Sequence, residues 1–326
     1  MKQLLEELTG AFGPSGNEDK IREIILDKVR PYADNVEVDN LGNIIATKSG
    51  PGEKLMLAAH MDEIGIIVTN VDEKGFLRFS NVGGLSPFNL ISQRVIFSNE
   101  TIGVFGMEDL EEIKDLKLSK MYVDIGAETK EEALEKVNIG DMCIFHRECV
   151  ISGDHVVSKA LDDRAGCALL IRVLQELKHP NYNTTFVFTV QEEVGLRGAK
   201  TSAFGIDPDL AIAVDVTLTG DTPEAKKMAV ELGKGPAIKV KDVSVICHPK
   251  IKDGLIAAAV RKGIPYQFEI LEWGGTDAGA IHLTRSGIPS GVLSIPTRYI
   301  HSPSEMVNLN DIEQGVELLK EFIEGK

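Results

Sequence analysis

The sequence predicts an α/β protein: a mixed, largely parallel sheet flanked by helices, with a small β-rich domain inserted into it. Short apolar runs at residues 55–59, 185–190, 210–214, 266–270 and 290–295 have the length and composition of buried strands. Residues 162–177, 249–262 and 276–286 carry helical spacing and alternate with these runs. Strands that are apolar along their whole length and alternate with helices belong to sheets covered on both faces. The third observation is a change of texture. Between residues 66 and 155, β-branched runs punctuated by glycine recur at 66–71, 76–79, 94–97, 101–105 and 142–145.

The chain opens with Leu4, Leu5 and Leu8 at helical spacing, and Glu6 and Glu7 stand where a signal peptide needs an apolar stretch. Strand 55–59 runs into His60. The β-rich stretch follows, dividing the chain into a parent domain of residues 1–65 and 156–326 and an insertion of residues 66–155. Within the insertion, Thr129 and Glu132 make a capping-box pattern that starts a short helix through Ala133, Leu134 and Val137. The parent fold resumes near Ser158. Asp162 and Asp163 open its next helix, strand 185–190 runs into Gln191, Glu192 and Glu193, and strand 210–214 runs into Asp215. Strand 290–295 leads through residues 296–299 to His301. The glycine-rich segment Trp273-Gly274-Gly275-Thr276-Asp277-Ala278-Gly279 matches neither dinucleotide-binding nor P-loop spacing and reads as a tight turn into a helix near the site.

Composition narrows the function. Of 326 residues, 43% are hydrophobic and 26% charged, so the chain has globular rather than disordered composition. Its 35 Lys and Arg against 50 Asp and Glu give a formal charge of −15, which disfavours nucleic acid and anionic membrane surfaces as partners. No apolar run reaches the roughly 18 residues of a membrane span. Cys143, Cys149, Cys167 and Cys247 form no C-x-x-C pair, and their spacing suggests neither a disulfide framework nor a thiolate zinc site. A cytoplasmic protein is expected.

In open α/β sheets, ligands bind beyond the carboxyl ends of the strands, where His60, Glu192, Glu193 and Asp215 fall. Each fragment alone has an ordinary explanation: Asp162 as a helix cap, Glu192 and Glu193 as a solvated turn, His301 as a structural histidine. Together they imply a cation. Two carboxylates next to Phe186, Val187 and Phe188 are costly to bury unpaired, and nothing local neutralises Asp215. Asp62 is spaced to accept a hydrogen bond from the far ring nitrogen of His60 and so fix its orientation. Histidines among carboxylates suit zinc, cobalt or manganese better than copper(I) or an iron–sulfur cluster. Adjacent extended residues face opposite ways, so Glu192 and Glu193 should do different jobs unless the chain turns there.

Five motifs in order, His60-Met61-Asp62-Glu63-Ile64-Gly65, Ala160-Leu161-Asp162-Asp163-Arg164, Gln191-Glu192-Glu193-Val194-Gly195-Leu196-Arg197-Gly198, Val214-Asp215 and Arg298-Tyr299-Ile300-His301-Ser302-Pro303, carry a resemblance. Over nearly the whole chain the sequence resembles the glutamyl, leucyl and deblocking aminopeptidases that assemble as tetrahedral particles. The resemblance implies a metallo-exopeptidase fold holding two divalent ions, zinc or cobalt first and manganese also possible in the family. It implies that Asp162 bridges them, with His60 and Asp215 on one ion and Glu193 and His301 on the other. Glu192 would be the general base that activates a metal-bridged water, and Asp62 the partner of His60. The implied activity is removal of amino-terminal residues from short peptides. The insertion would be a dimerisation domain, and dimers would combine into a hollow homododecamer.

Two other classes compete. A glycoside hydrolase needs two carboxyl groups about 5–9.5 Å apart across a sugar cleft, normally with aromatic platforms, and one Trp and five Tyr supply few. A silent scaffold would have no use for a spare carboxylate at Glu192.

Overall fold

The computed structural model describes residues 1–325. Four parallel strands form the centre of a large sheet, in the spatial order Asn183–Thr189, Lys54–His60, Leu210–Thr217 and Ser290–Arg298. Antiparallel strands flank them. Asn35–Val38 and Ile44–Lys48 lie on one side, and Glu305–Asn308, His155–Ser158 and Val150–Ser152 on the other. Ala237–Lys241 and Gln267–Ile270 branch from Ser290–Arg298. The sheet is mixed with a parallel centre, as the apolar runs predict.

Both faces are covered, which explains why the runs are apolar at every position. Leu55, Leu57 and Ala59 join Phe186, Phe188, Ile212 and Val214 in a core shared with the helices Leu161–Glu176 and Leu309–Glu324. Met56, Ala58, Val187 and Ala211 belong to the opposite core, with Ala199 and Ala203 of the helix Arg197–Ile206. Each fully buried large aliphatic side chain contributes about 1.5–3 kcal/mol, so the strand that ends in His60 is held firmly by its own burial.

The chain after His60 closes into a six-stranded antiparallel barrel from Gly65–Val71 to Met142–Phe145, with its own core around Val68, Val95, Phe105 and Phe145. Within the stretch 66–155, Val150–Ser152 pairs in the large sheet rather than the barrel. The Thr129 hydroxyl caps the helix Lys130–Lys136 by accepting from the Glu132 amide at 3.2 Å, while the Glu132 carboxylate accepts from the Glu128 amide at 3.0 Å rather than from Thr129. The helical spacing at 276–286 yields only Ala278–Ile281, because the chain turns at Arg285 and Gly287, with φ of 53° and 99°.

Candidate metal centre

Every ligand segment expected from the sequence reaches one cavity of about 500 Å³ at the carboxyl edge of the parallel strands. His60 is the last residue of its strand and is buried. Asp215 lies near the end of Leu210–Thr217. Asp162 sits in the first turn of Leu161–Glu176, where it and Asp163 depart from helical backbone angles. Beyond Thr189 the chain turns, the amides of Gly195 and Leu196 both donating to the Glu192 carbonyl. That turn brings Glu192 and Glu193 to the same cavity, the exception to strict alternation.

Asp162 is the hub. Its Oδ1 lies 3.0 Å from His60 Nε2, and its Oδ2 lies 3.3 Å from His301 Nε2. His60 Nε2 is also 4.0 Å from Asp215 Oδ1, and His301 Nε2 is 3.1 Å from Glu193 Oε1. Two groups of potential cation ligands result, His60 with Asp162 and Asp215, and Asp162 with Glu193 and His301, each with donor atoms within 4.8 Å of one another. Glu192 belongs to neither, yet its Oε2 stands 4.0 Å from His60 Nε2 in the same cavity.

The electrostatics fit a cation-binding donor set. Burial pushes the Asp215 carboxyl well up, against the pull of His60 and with help from the Asp162 charge. Burial likewise raises Glu192 well above its ordinary range, where His60 lowers it and Asp215, Asp277 and Glu193 raise it further. Burial opposes the charge on His301, but Asp162 and Glu193 outweigh it and hold the imidazolium up to about 12. Protons on the histidines thus balance acids that a divalent ion would balance better.

Asp62 has a wider role than the sequence indicates. His60 Nδ1 meets the Asp62 backbone carbonyl at 3.1 Å, while the Asp62 carboxylate is 3.6 Å away, beyond hydrogen-bond distance. That carboxylate accepts from the Ser15 hydroxyl at 2.6 Å and from the Glu192 and Glu193 amides at 3.0 and 3.3 Å. It therefore ties the His60 strand to the turn bearing the two glutamates. Glu305, which sequence reasoning missed, does the same elsewhere: it accepts from the Asp162 amide at 2.9 Å and the His301 amide at 2.8 Å. Burial and the Asp162 charge raise its carboxyl to about 8. Strain marks the segments too. Ala160, Gln191, Tyr299 and His301 have φ between 55° and 61°, each costing about 1–3 kcal/mol outside glycine.

The barrel also touches the site. A Cβ on Gly84 would lie 2.6 Å from His301 Nδ1, and one on Gly83 would lie 2.9 Å from Glu193 Oε2. Backbone without side chains is what lets this segment pack against both ligand candidates.

Comparisons with known proteins identify the family. A family model described as M42 glutamyl aminopeptidase matches residues 42–318. Over 336 residues the chain is 35% identical to the lysyl aminopeptidase of Pyrococcus furiosus, covering 99% of this chain and 96% of that protein. The solved structure of an aminopeptidase from the archaeon Desulfurococcus kamchatkensis superposes with a TM-score of 0.96 at 39% identity, covering 100% of this chain and 94% of that one. The Pyrococcus horikoshii TET1 peptidase, which can assemble into a tetrahedron or a large octahedral shell, superposes with a TM-score of 0.89 at 35% identity, covering 99% of each chain. A match over most of the length, on a cavity with two histidine and carboxylate clusters, leads to one conclusion: the chain belongs to the M42 glutamyl aminopeptidase family, and it is a metal-dependent aminopeptidase.

Proposed function

We propose that the protein removes amino-terminal residues from short peptides with two divalent ions, zinc or cobalt, held by His60, Asp162 and Asp215 and by Asp162, Glu193 and His301. The observation that carries this is the division of the Asp162 carboxylate, one oxygen toward each histidine cluster. When bound, the ions supply Lewis acidity that makes water nucleophilic near neutral pH and polarises the scissile carbonyl. Glu192 is the general base. Its Oε2 takes a proton from the attacking water and returns it to the leaving amine. Asp62 and Glu305 are positioning residues that hold the backbone of the ligand segments.

The barrel is a dimerisation domain, and dimers build a homododecamer with its sites inside. Support comes from apolar side chains on its outer surface, among them Phe88, Ile102, Val104 and Ile139, and from the shells that the Pyrococcus horikoshii relative forms. Four free cysteines, three of them buried, suit the reducing cytoplasm.

Chelation tests the metal reading. Exhaustive removal of divalent ions should abolish release of amino-terminal residues, and zinc, cobalt or manganese should restore it. Full turnover by rigorously metal-free protein would sink it.

A further inference from the structure

We infer that this site selects aliphatic amino-terminal residues, leucine and methionine foremost, and discriminates against glutamate and lysine. The inference rests on the aminopeptidase site proposed above and adds its substrate class. The cavity is lined by two kinds of residue. Besides the histidines and acids already assigned, it has an apolar lining of Leu196, Val216, Leu218, Leu271, Trp273 and Ile300. Among the residues lining the cavity there is no lysine or arginine, and its carboxylates are the four given to metal and base. A residue whose amino group and carbonyl meet the histidines and acids has this apolar lining to receive its side chain.

Three details sharpen the reading. A glutamate side chain would lose its hydration against a wall that no lysine or arginine lines, the nearby Lys226 ammonium being held on the Trp273 ring, a cost that aliphatic side chains do not bear. Thr217 is the one hydroxyl lining the cavity, and it donates to Glu269 Oε1 at 2.8 Å. Glu269 in turn pairs with buried Lys239 at 2.5 Å, so this network fixes the hydroxyl away from substrate use. Against lysine, the Lys226 ammonium lies 3.8 Å from the centroid of Trp273, the one tryptophan lining the cavity, and covers one face of that ring, so a substrate ammonium brought to Trp273 meets a like charge nearby.

The test is kcat/KM for a panel of aminoacyl p-nitroanilides with the metal-loaded enzyme, together with product inhibition by free L-leucine, L-glutamate and L-lysine. Leucine should exceed alanine by at least about tenfold, since each methylene in an apolar pocket discriminates by about 10–200-fold. It should exceed glutamate and lysine by about a hundredfold or more, and L-leucine should be the tightest of the three inhibitors. Leu218→Arg should raise the glutamate-to-leucine ratio at least about tenfold with metal content unchanged. Metal-dependent turnover that is fastest with glutamate or lysine overturns the selectivity and leaves the catalytic reading standing. Absence of turnover on every substrate by metal-loaded enzyme overturns both. If the variant fails to fold, the panel and the inhibition series on the unaltered protein still decide.

Discussion

Glu192 and Glu193 are chemically identical neighbours, and the roles proposed for them are separated by position alone. Glu193 reaches His301 at 3.1 Å, while Glu192 stands beside the His60 cluster without joining it. Glu192→Gln should therefore retain both ions while lowering kcat by roughly two to four powers of ten, the usual scale of general acid–base catalysis. Metal analysis beside the kinetics checks this, because lost metal with normal turnover per ion would make Glu192 a ligand. The histidines yield a second expectation. In ion-free protein, Asp162 and Glu193 hold His301 up to about 12 from its ordinary 6.5 despite burial, and Asp162 and Asp62 hold His60 well up. A histidine raised in the folded state adds stability that is complete below about pH 6.5 and is lost progressively as pH climbs toward the folded value. Burial-raised Glu192 and Asp215 act in the same direction, since the folded state binds their protons more tightly. Asp162, lowered by both histidines against burial, acts only in acid. Divalent ions reverse the dependence, because they bind neutral imidazole and carboxylate and compete with protons. Raising pH from about 6 to about 9 should lower the melting temperature of chelated protein and widen its gap from the metal-loaded form. Parallel thermal melts with and without chelator measure this, and a gap that narrows with pH contradicts it.

Secondary-structure elements meet at the site in ways that chain order conceals. Gly83 and Gly84 follow the barrel strand Leu77–Val82 and pack against Glu193 and His301. Gly84→Ala would place a methyl group 2.6 Å from His301 Nδ1, and overpacking of this kind typically costs about 1–3 kcal/mol. We expect weaker metal retention and turnover reduced on the order of a hundredfold, the scale of a misplaced catalytic group. Gly205→Ala, whose added carbon meets nothing within 4 Å in the helix Arg197–Ile206, serves as the control and should leave both unchanged. That glycine contact was illegible in the sequence, whereas the ligand candidates were legible, and the difference is physical. His60 and Asp215 sit at the ends of strands whose uninterrupted apolar runs announce burial, so an acid or histidine there demands a partner. Glu305 carries no such signal: its task depends on the Asp162 amide, 143 residues away, and on a fold that brings both together. Asn43 is similar, accepting from the Val190 amide and donating to the Gly198 carbonyl to brace the turn that bears the glutamates. The barrel's strands showed in their β-branched texture, but neither its closure nor its approach to His301 did, because both are set by pairing between distant segments.

At the scale of the whole molecule, the sheet and the barrel have separate cores, so the barrel is not required to bury the sheet. Its outward side chains include Ile102 and Val104, 49% and 41% exposed on the strand Ile102–Met107. Both belong to a strand whose backbone is already paired on each side, so a partner would meet their side chains rather than extend the sheet. A stable interface buries about 1,200–2,000 Å² and tolerates charge at its rim but little at its centre. A net charge of −15 per chain is compatible with assembly only where such apolar surfaces meet and the acids remain outside. Light scattering on fresh, metal-loaded protein should give a dodecamer's mass, twelve times 35.5 kDa. Replacing both Ile102 and Val104 with lysine should put like charges into the proposed contact between barrels. Smaller species should then appear, with each barrel still closed because the substituted side chains lie outside its core. An active protein that stays monomeric from nanomolar to high micromolar concentration would exclude the cage and the dimerising barrel together.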